Sequence, residues 1–170
     1  MLHDNGGGNE RGYEVITDFL PQAIEKAHLP PKVPADIVAE FRESELDASH
    51  GAYRSGSALL RSVLEKTLKK NGYDEVDVVV GGVSKKSKSL EKRIEVAADD
   101  GVITQARKVR AHENIRVLGN DILHDDWREV KQDEFEDAHH YAQRILEDLY
   151  DDRVTVEKIL TAKGRPFTPA

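Results

Sequence analysis

Hydrophobic positions recur at helical spacing along most of this chain. The clearest stripe is Gly56, Leu59, Leu60, Val63, Leu64, Thr67 and Leu68, which predicts a helix from Ala52 to Lys70. Asn71-Gly72 supplies a left-handed stop after it. Upstream, Ile37, Val38, Phe41 and Leu46 predict a helix that opens at Pro34 or Ala35 and weakens near His50-Gly51. Ser89 can cap a short helix over Leu90–Ala98, which Asp99-Asp100-Gly101 ends. A fourth helix runs from about Thr104 to His124, with Asp125, Asp126 and Trp127 closing it. A further helix covers Asp133 to Tyr150, its apolar face made by Phe135, Ala138, Ala142, Ile145, Leu146 and Leu149. Residues Asp151–Ala162 either continue that helix or form a short one of their own.

The non-helical stretches are fewer. Met1–Gly12 is Gly/Asn-rich and charged, and reads as a disordered leader. Tyr13–Leu20 has strand-like composition, Gln22–His28 can add a helical turn, and the prolines at 30, 31 and 34 favour extended chain. Asp74–Lys88 is a loop whose VDVVVGG run can form a small hairpin. Gly164–Ala170 reads as a loose tail. The expected organisation is therefore a leader and extended anchor over 1–33, a bundle of about five helices over 34–160, and a tail over 161–170. The fold class is all-α.

Composition narrows the functions. Cysteine is absent, which removes disulfides, thiolate zinc sites and cysteine nucleophiles. A net charge of −7 argues against gripping nucleic acid by overall electrostatics. Charge is uneven, however: Lys85, Lys86, Lys88, Lys92 and Arg93 form a basic rim able to hold a strand, although solvated helix faces are the ordinary reading of such runs and the favoured one. No apolar run approaches membrane-spanning length and no signal pattern opens the chain, so the expectation is a cytoplasmic protein without a membrane partner.

Candidate chemistry concentrates in IRVLGNDILHDDW, residues 115–127. On a helix Arg116, Asn120 and His124 fall one turn apart and form a polar row beside the face of Ile115, Leu118, Ile122 and Leu123. Such a row can be a site, with His124 moving a proton and Arg116 stabilising anionic charge. It can equally join Arg61 and Glu65, at i and i+4 on the second helix, in a buried network that specifies packing. Weaker alternatives exist. His124-Asp125 with His112, His139, His140 and Asp148 supplies metal-ligand residue types, but nothing fixes their order. His139 and His140 point about 100° apart on a helix and read as a surface or boundary feature. Trp127 reads as a core lid, and Gly6-Gly7-Gly8 lacks the strand-to-helix context of a phosphate loop.

GAYRSGSALLRSVLE, a short helix ending in Gly, IRVLGNDILH and a last helix ending in LEDLY together resemble the bacterial family called domain of unknown function 4145. The likeness covers roughly Pro34 to Tyr150. Its two most specific parts hold Arg61 and Glu65, and Arg116, Gly119, Asn120 and His124. That family in turn resembles the HEPN superfamily of helical bundles. The resemblance implies a homodimer with a metal-independent, cofactor-free ribonuclease cleft lined by Arg116, Asn120 and His124. It also implies a setting in defence or toxin systems, with RNA and an antitoxin or defence protein as partners. Here Arg116 stands a helical turn further from His124 than the usual HEPN motif places it. The rival expectation is a non-catalytic dimerisation or protein-interaction module whose polar row is structural.

Overall fold

The structure is a computed structural model that describes residues 24–115 and 129–169. It is largely helical, with six helices and one two-stranded sheet among those residues. In order these are α1 (Ala35–Ser49), α2 (Tyr53–Lys70), β1 (Val76–Val80), β2 (Val83–Ser87), α3 (Leu90–Asp100), α4 (Gln105–Ile115), α5 (Gln132–Tyr150) and α6 (Arg153–Ala162). The expected strand at 13–20, and the part of the fourth helix beyond Ile115, lie outside the described residues.

Apolar stripes dictate how the helices assemble. α2 packs against α1 on one side and α5 on the other, burying Leu60, Val63, Leu64 and Leu68 completely. Lys66 reaches Glu40 at 2.9 Å and Lys70 reaches Asp36 at 3.2 Å, so α1 and α2 run antiparallel. α5 lies parallel to α2, with Gln132 near Tyr53 at one end and the Tyr150 hydroxyl accepting from Asn71 at the other. Its inward face, Phe135, Ala138, Ala142, Ile145, Leu146 and Leu149, is fully buried, as its periodicity requires. The Glu134 carboxylate accepts from Lys131 N at 3.0 Å and closes the first turn of α5. Lys108 pairs with Asp99 at 2.6 Å and His112 Nδ1 lies 3.4 Å from Glu91 Oε1, so α3 and α4 run antiparallel. The Asp152 side chain accepts from Thr155 N and starts α6 as a separate helix, which resolves the alternative left open over Asp151–Ala162.

The hairpin expected within 74–88 is present, with Val76 opposite Ser87 and Val80 opposite Val83. Gly81 and Gly82 have φ of 60° and 79°, the pair of left-handed residues that a two-residue hairpin turn needs.

Several expectations differ from what is observed. Arg93, expected on a basic rim, is buried and donates to Tyr73 O and Glu65 O. Leu46 is 58% exposed, because Glu45 and Ala48 occupy the inward face of α1 instead. Residues 24–28 form no helical turn, and this segment is held by hydrogen bonds of Ala27 to Glu45 and Arg42. His139 is buried, through a pairing described below. Where the composition suggested a loose end, Arg165 pairs with Asp100 at 2.9 Å and lies 4.6 Å over the Tyr73 ring, while Thr168 N donates to Lys70 O at 2.9 Å. Gly72 lets this C-terminal segment approach: a Cβ there would sit 2.6 Å from Pro166 O, and its φ is +82°.

Candidate functional site

Two polar assemblies stand out from the helical packing. The first is buried. Glu45 accepts from Ala27 N at 2.8 Å and from Arg42 Nη1 at 2.7 Å, and its Oε1 lies 3.0 Å from His139 Nε2. His139 sits between Phe41 and Phe135, at ring-centroid distances of 5.0 and 5.7 Å. Burial pushes the Glu45 carboxyl up, but the hydrogen bonds from His139, Arg42 and Ala27 outweigh it and hold it below the ordinary glutamate value. With its carboxylate ionised and bonded on both oxygens, this cluster is a closed network that ties residues 24–33 to α1 and α5.

The second assembly is open to solvent. α4 and α5 run antiparallel, pinned where Thr104 and Arg107 meet Asp148 and where the Tyr141 hydroxyl donates to Arg107 O at 3.0 Å. Between them lies a cleft of about 340 Å³ lined by Arg107, Arg110 and Asn114 from α4 and by Asp137, His140, Tyr141 and Arg144 from α5. The positions repeat at three and four residues on both helices, so two helix faces converge on one space. Three guanidiniums oppose one carboxylate. Arg107 is 3.3 Å from Asp148, Arg144 is 2.8 Å from Glu147, and Arg110 has no ion-pair partner among the described residues. Asn114 is buried and donates to Arg110 O at 3.0 Å, which fixes the amide in the wall. Burial pushes the Tyr141 hydroxyl up, against the pull of Arg107 and Arg110, so it stays a neutral donor. Planar guanidiniums in a concave site suit bidentate recognition of an oxyanion such as phosphate.

Arg116, Asn120 and His124, the residues singled out by sequence, lie outside the described residues, as does Asp125. Arg61 and Glu65 form their own i, i+4 pair at 2.9 Å, with side chains 22% and 39% exposed. His139 and His140 do diverge, one into the core and one into the cleft, with ring planes 58° apart. Asp148 is engaged by Thr104 and Arg107, His112 by Glu91. Among the described residues no group of three His, Asp or Glu side chains is arranged to hold a metal, and no helix is long and apolar enough to cross a membrane. The arginine cleft was missed from sequence. Its signal was the matched spacing of 107, 110 and 114 with 137, 140, 141 and 144, which becomes visible only when the two helices are paired.

No curated protein matches the chain, and no solved structure matches it either. Residues 43–165, which take in the core of the bundle and both walls of the cleft, match the family model described as Domain of unknown function (DUF4145), and the chain belongs to that family.

Proposed function

We propose that this is a HEPN-like domain that binds RNA in the α4–α5 cleft and cleaves it by metal-independent acid–base chemistry. The observation that carries this reading is the cleft itself. Arg107, Arg110 and Arg144 converge there, and Arg116 follows Ile115, the last described residue of α4, in the sequence. In this reading the guanidiniums of the cleft hold backbone phosphates and thereby position the strand. The RNA 2′-oxygen attacks the adjacent phosphorus, the bond to the 5′-oxygen breaks, and a 2′,3′-cyclic phosphate forms. His124, with an imidazole pKa of about 6.5 when unperturbed, takes the 2′-hydroxyl proton or protonates the leaving 5′-oxygen. A second copy of the chain, related by a two-fold axis, supplies the other transfer. Arg116 stabilises charge on the phosphorane oxygens and Asn120 orients the imidazole. A cytoplasmic defence or toxin setting, with an antitoxin or similar protein partner, belongs to the same proposal.

A second reading has its own support. Arg61 Nη1 is buried and has no hydrogen-bond partner among the described residues, although Arg61 Nε is paired with Glu65. A nearby amide or imidazole would satisfy that donor, as expected of a non-catalytic interaction module whose polar row is structural. Labelled single-stranded RNA incubated with the full chain and a chelator separates the two. Under the nuclease reading the wild type cleaves, whereas His124→Ala and Arg116→Ala do not, and both variants melt with the wild type. An inactive wild type, together with a large drop in melting temperature for both variants, would establish the structural reading instead.

A further inference from the structure

The β1–β2 hairpin carries charge and apolar surface that the bundle does not use. Val76 is buried and Val78 packs against the core, but Val79, Val80 and Val83 around the tip are 75%, 56% and 58% exposed. Asp77, the one carboxylate on the two strands, is neutralised across the ladder by Lys86 at 3.1 Å. Lys85 and Lys88 are exposed and make no ion pair among the described residues. The arm therefore presents two uncompensated cations on a chain whose net charge is −7.

Its location matters as much as its charge. β2 leads through Ser89 into the first turn of α3, where Glu91 Oε1 lies 3.4 Å from His112 Nδ1 on the last turn of α4. Asn114, in the wall of the arginine cleft, follows two positions later. Hairpin foot and cleft thus share one end of the bundle. A second copy added antiparallel along the β2 edge and centred on Lys85-Lys86 would set those lysines against lysines, which like-charge repulsion disfavours. A polyanionic strand meets no such penalty.

We infer that the hairpin is a second contact for the strand held in the α4–α5 cleft. Lys85 and Lys88 pair with backbone phosphates beyond the cleft, and Val80 and Val83 lie against ribose and base faces. This inference rests on the RNA-directed reading above. The test is fluorescence anisotropy of a labelled single-stranded RNA oligonucleotide with the full chain over a series of KCl concentrations. The double variant Lys85→Ala/Lys88→Ala is expected to bind more weakly, with a slope of log affinity against log salt flatter by about 1.4. Val80→Ser/Val83→Ser is expected to weaken binding with the salt slope unchanged. Wild-type affinity and slope in the lysine variant, alongside impaired binding by Arg110→Ala/Arg144→Ala, would overturn the hairpin contact while leaving the cleft reading standing. Absence of RNA binding by the wild type would overturn both. A dimer that Val80→Ser/Val83→Ser dissociates, with RNA affinity unchanged, would assign the tip to a second copy and also refute the inference.

Discussion

Glu45→Ala removes one carboxylate that serves three elements at once. Glu45 is 4% exposed and receives hydrogen bonds from Ala27 N, Arg42 Nη1 and His139, all within 3.0 Å. A hydrogen bond to a charged group contributes roughly 1.5–3 kcal/mol, and Arg42, 36% exposed, falls below that range through solvent screening. Ala27 N and the 5%-exposed His139 are left with desolvated groups and no partner. Truncating one member of such a buried cluster costs about 3–5 kcal/mol, which lowers Tm by roughly 6–20 °C in a domain of this size. Urea unfolding followed by circular dichroism measures the free energy, and amide exchange at Ala27 reports the local release. The pH dependence follows from the lowered Glu45 pKa. Its stabilisation is fully present above the ordinary value of 4.5 and is lost as pH falls through the folded-state value. Glu45→Gln, which cannot ionise, should lack that part of the acid-induced loss. A cost for Glu45→Ala under about 1 kcal/mol, with Ala27 exchange unchanged, would refute the assigned role.

Other substitutions probe the packing and the C-terminal segment. Gly56→Ala would place a Cβ 2.8 Å from Phe135 Cε2 and 2.9 Å from Ser44 O. We expect overpacking of about 1–3 kcal/mol to outweigh the helix-propensity gain of up to about 1 kcal/mol, as read by urea unfolding. Arg153 donates to Asn71 Oδ1, Glu157 Oε1 and Thr168 O and lies over the Tyr150 and Phe167 rings at 5.1 and 5.7 Å. Arg153→Lys keeps the charge but loses the planar fork, so faster amide exchange at Thr168 should accompany a clear loss of stability, larger still in Arg153→Ala. Arg110→Ala and Arg144→Ala, at exposed positions in the cleft, should leave the melting temperature within a few degrees, roughly the effect of a surface substitution.

Local pattern carried much of the fold. The α2 stripe, the stop at Asn71-Gly72 and the inward face of α5 follow from apolar spacing and turn chemistry, which act over a few residues. The burial of His139 does not, because the carboxylate that satisfies it lies ninety-four residues away on α1. An imidazole reads as a boundary residue until its partner is known. The return of residues 165–168 onto α2 and α3 was hidden for the same reason. The Gly- and Pro-containing end reads as loose from sequence, while Asp100, Tyr73 and Lys70 supply the partners. The cleft arginines were hidden differently: each reads as a solvated helix face, and only the antiparallel pairing of α4 with α5 turns two such faces into one concave site. Arg116, Asn120 and His124, the residues most legible as chemistry, fall outside the described residues.

We propose that the α4–α5 cleft recognises the phosphates of RNA. The most direct measurement is the affinity of a labelled single-stranded RNA for the wild type and for Arg110→Ala/Arg144→Ala at several salt concentrations. If the claim holds, the wild type binds with a steep salt dependence, and the variant binds more weakly with a slope flatter by about 1.4. Equal affinity and equal slope in a fully folded variant, or no binding by the wild type at low salt, would contradict it.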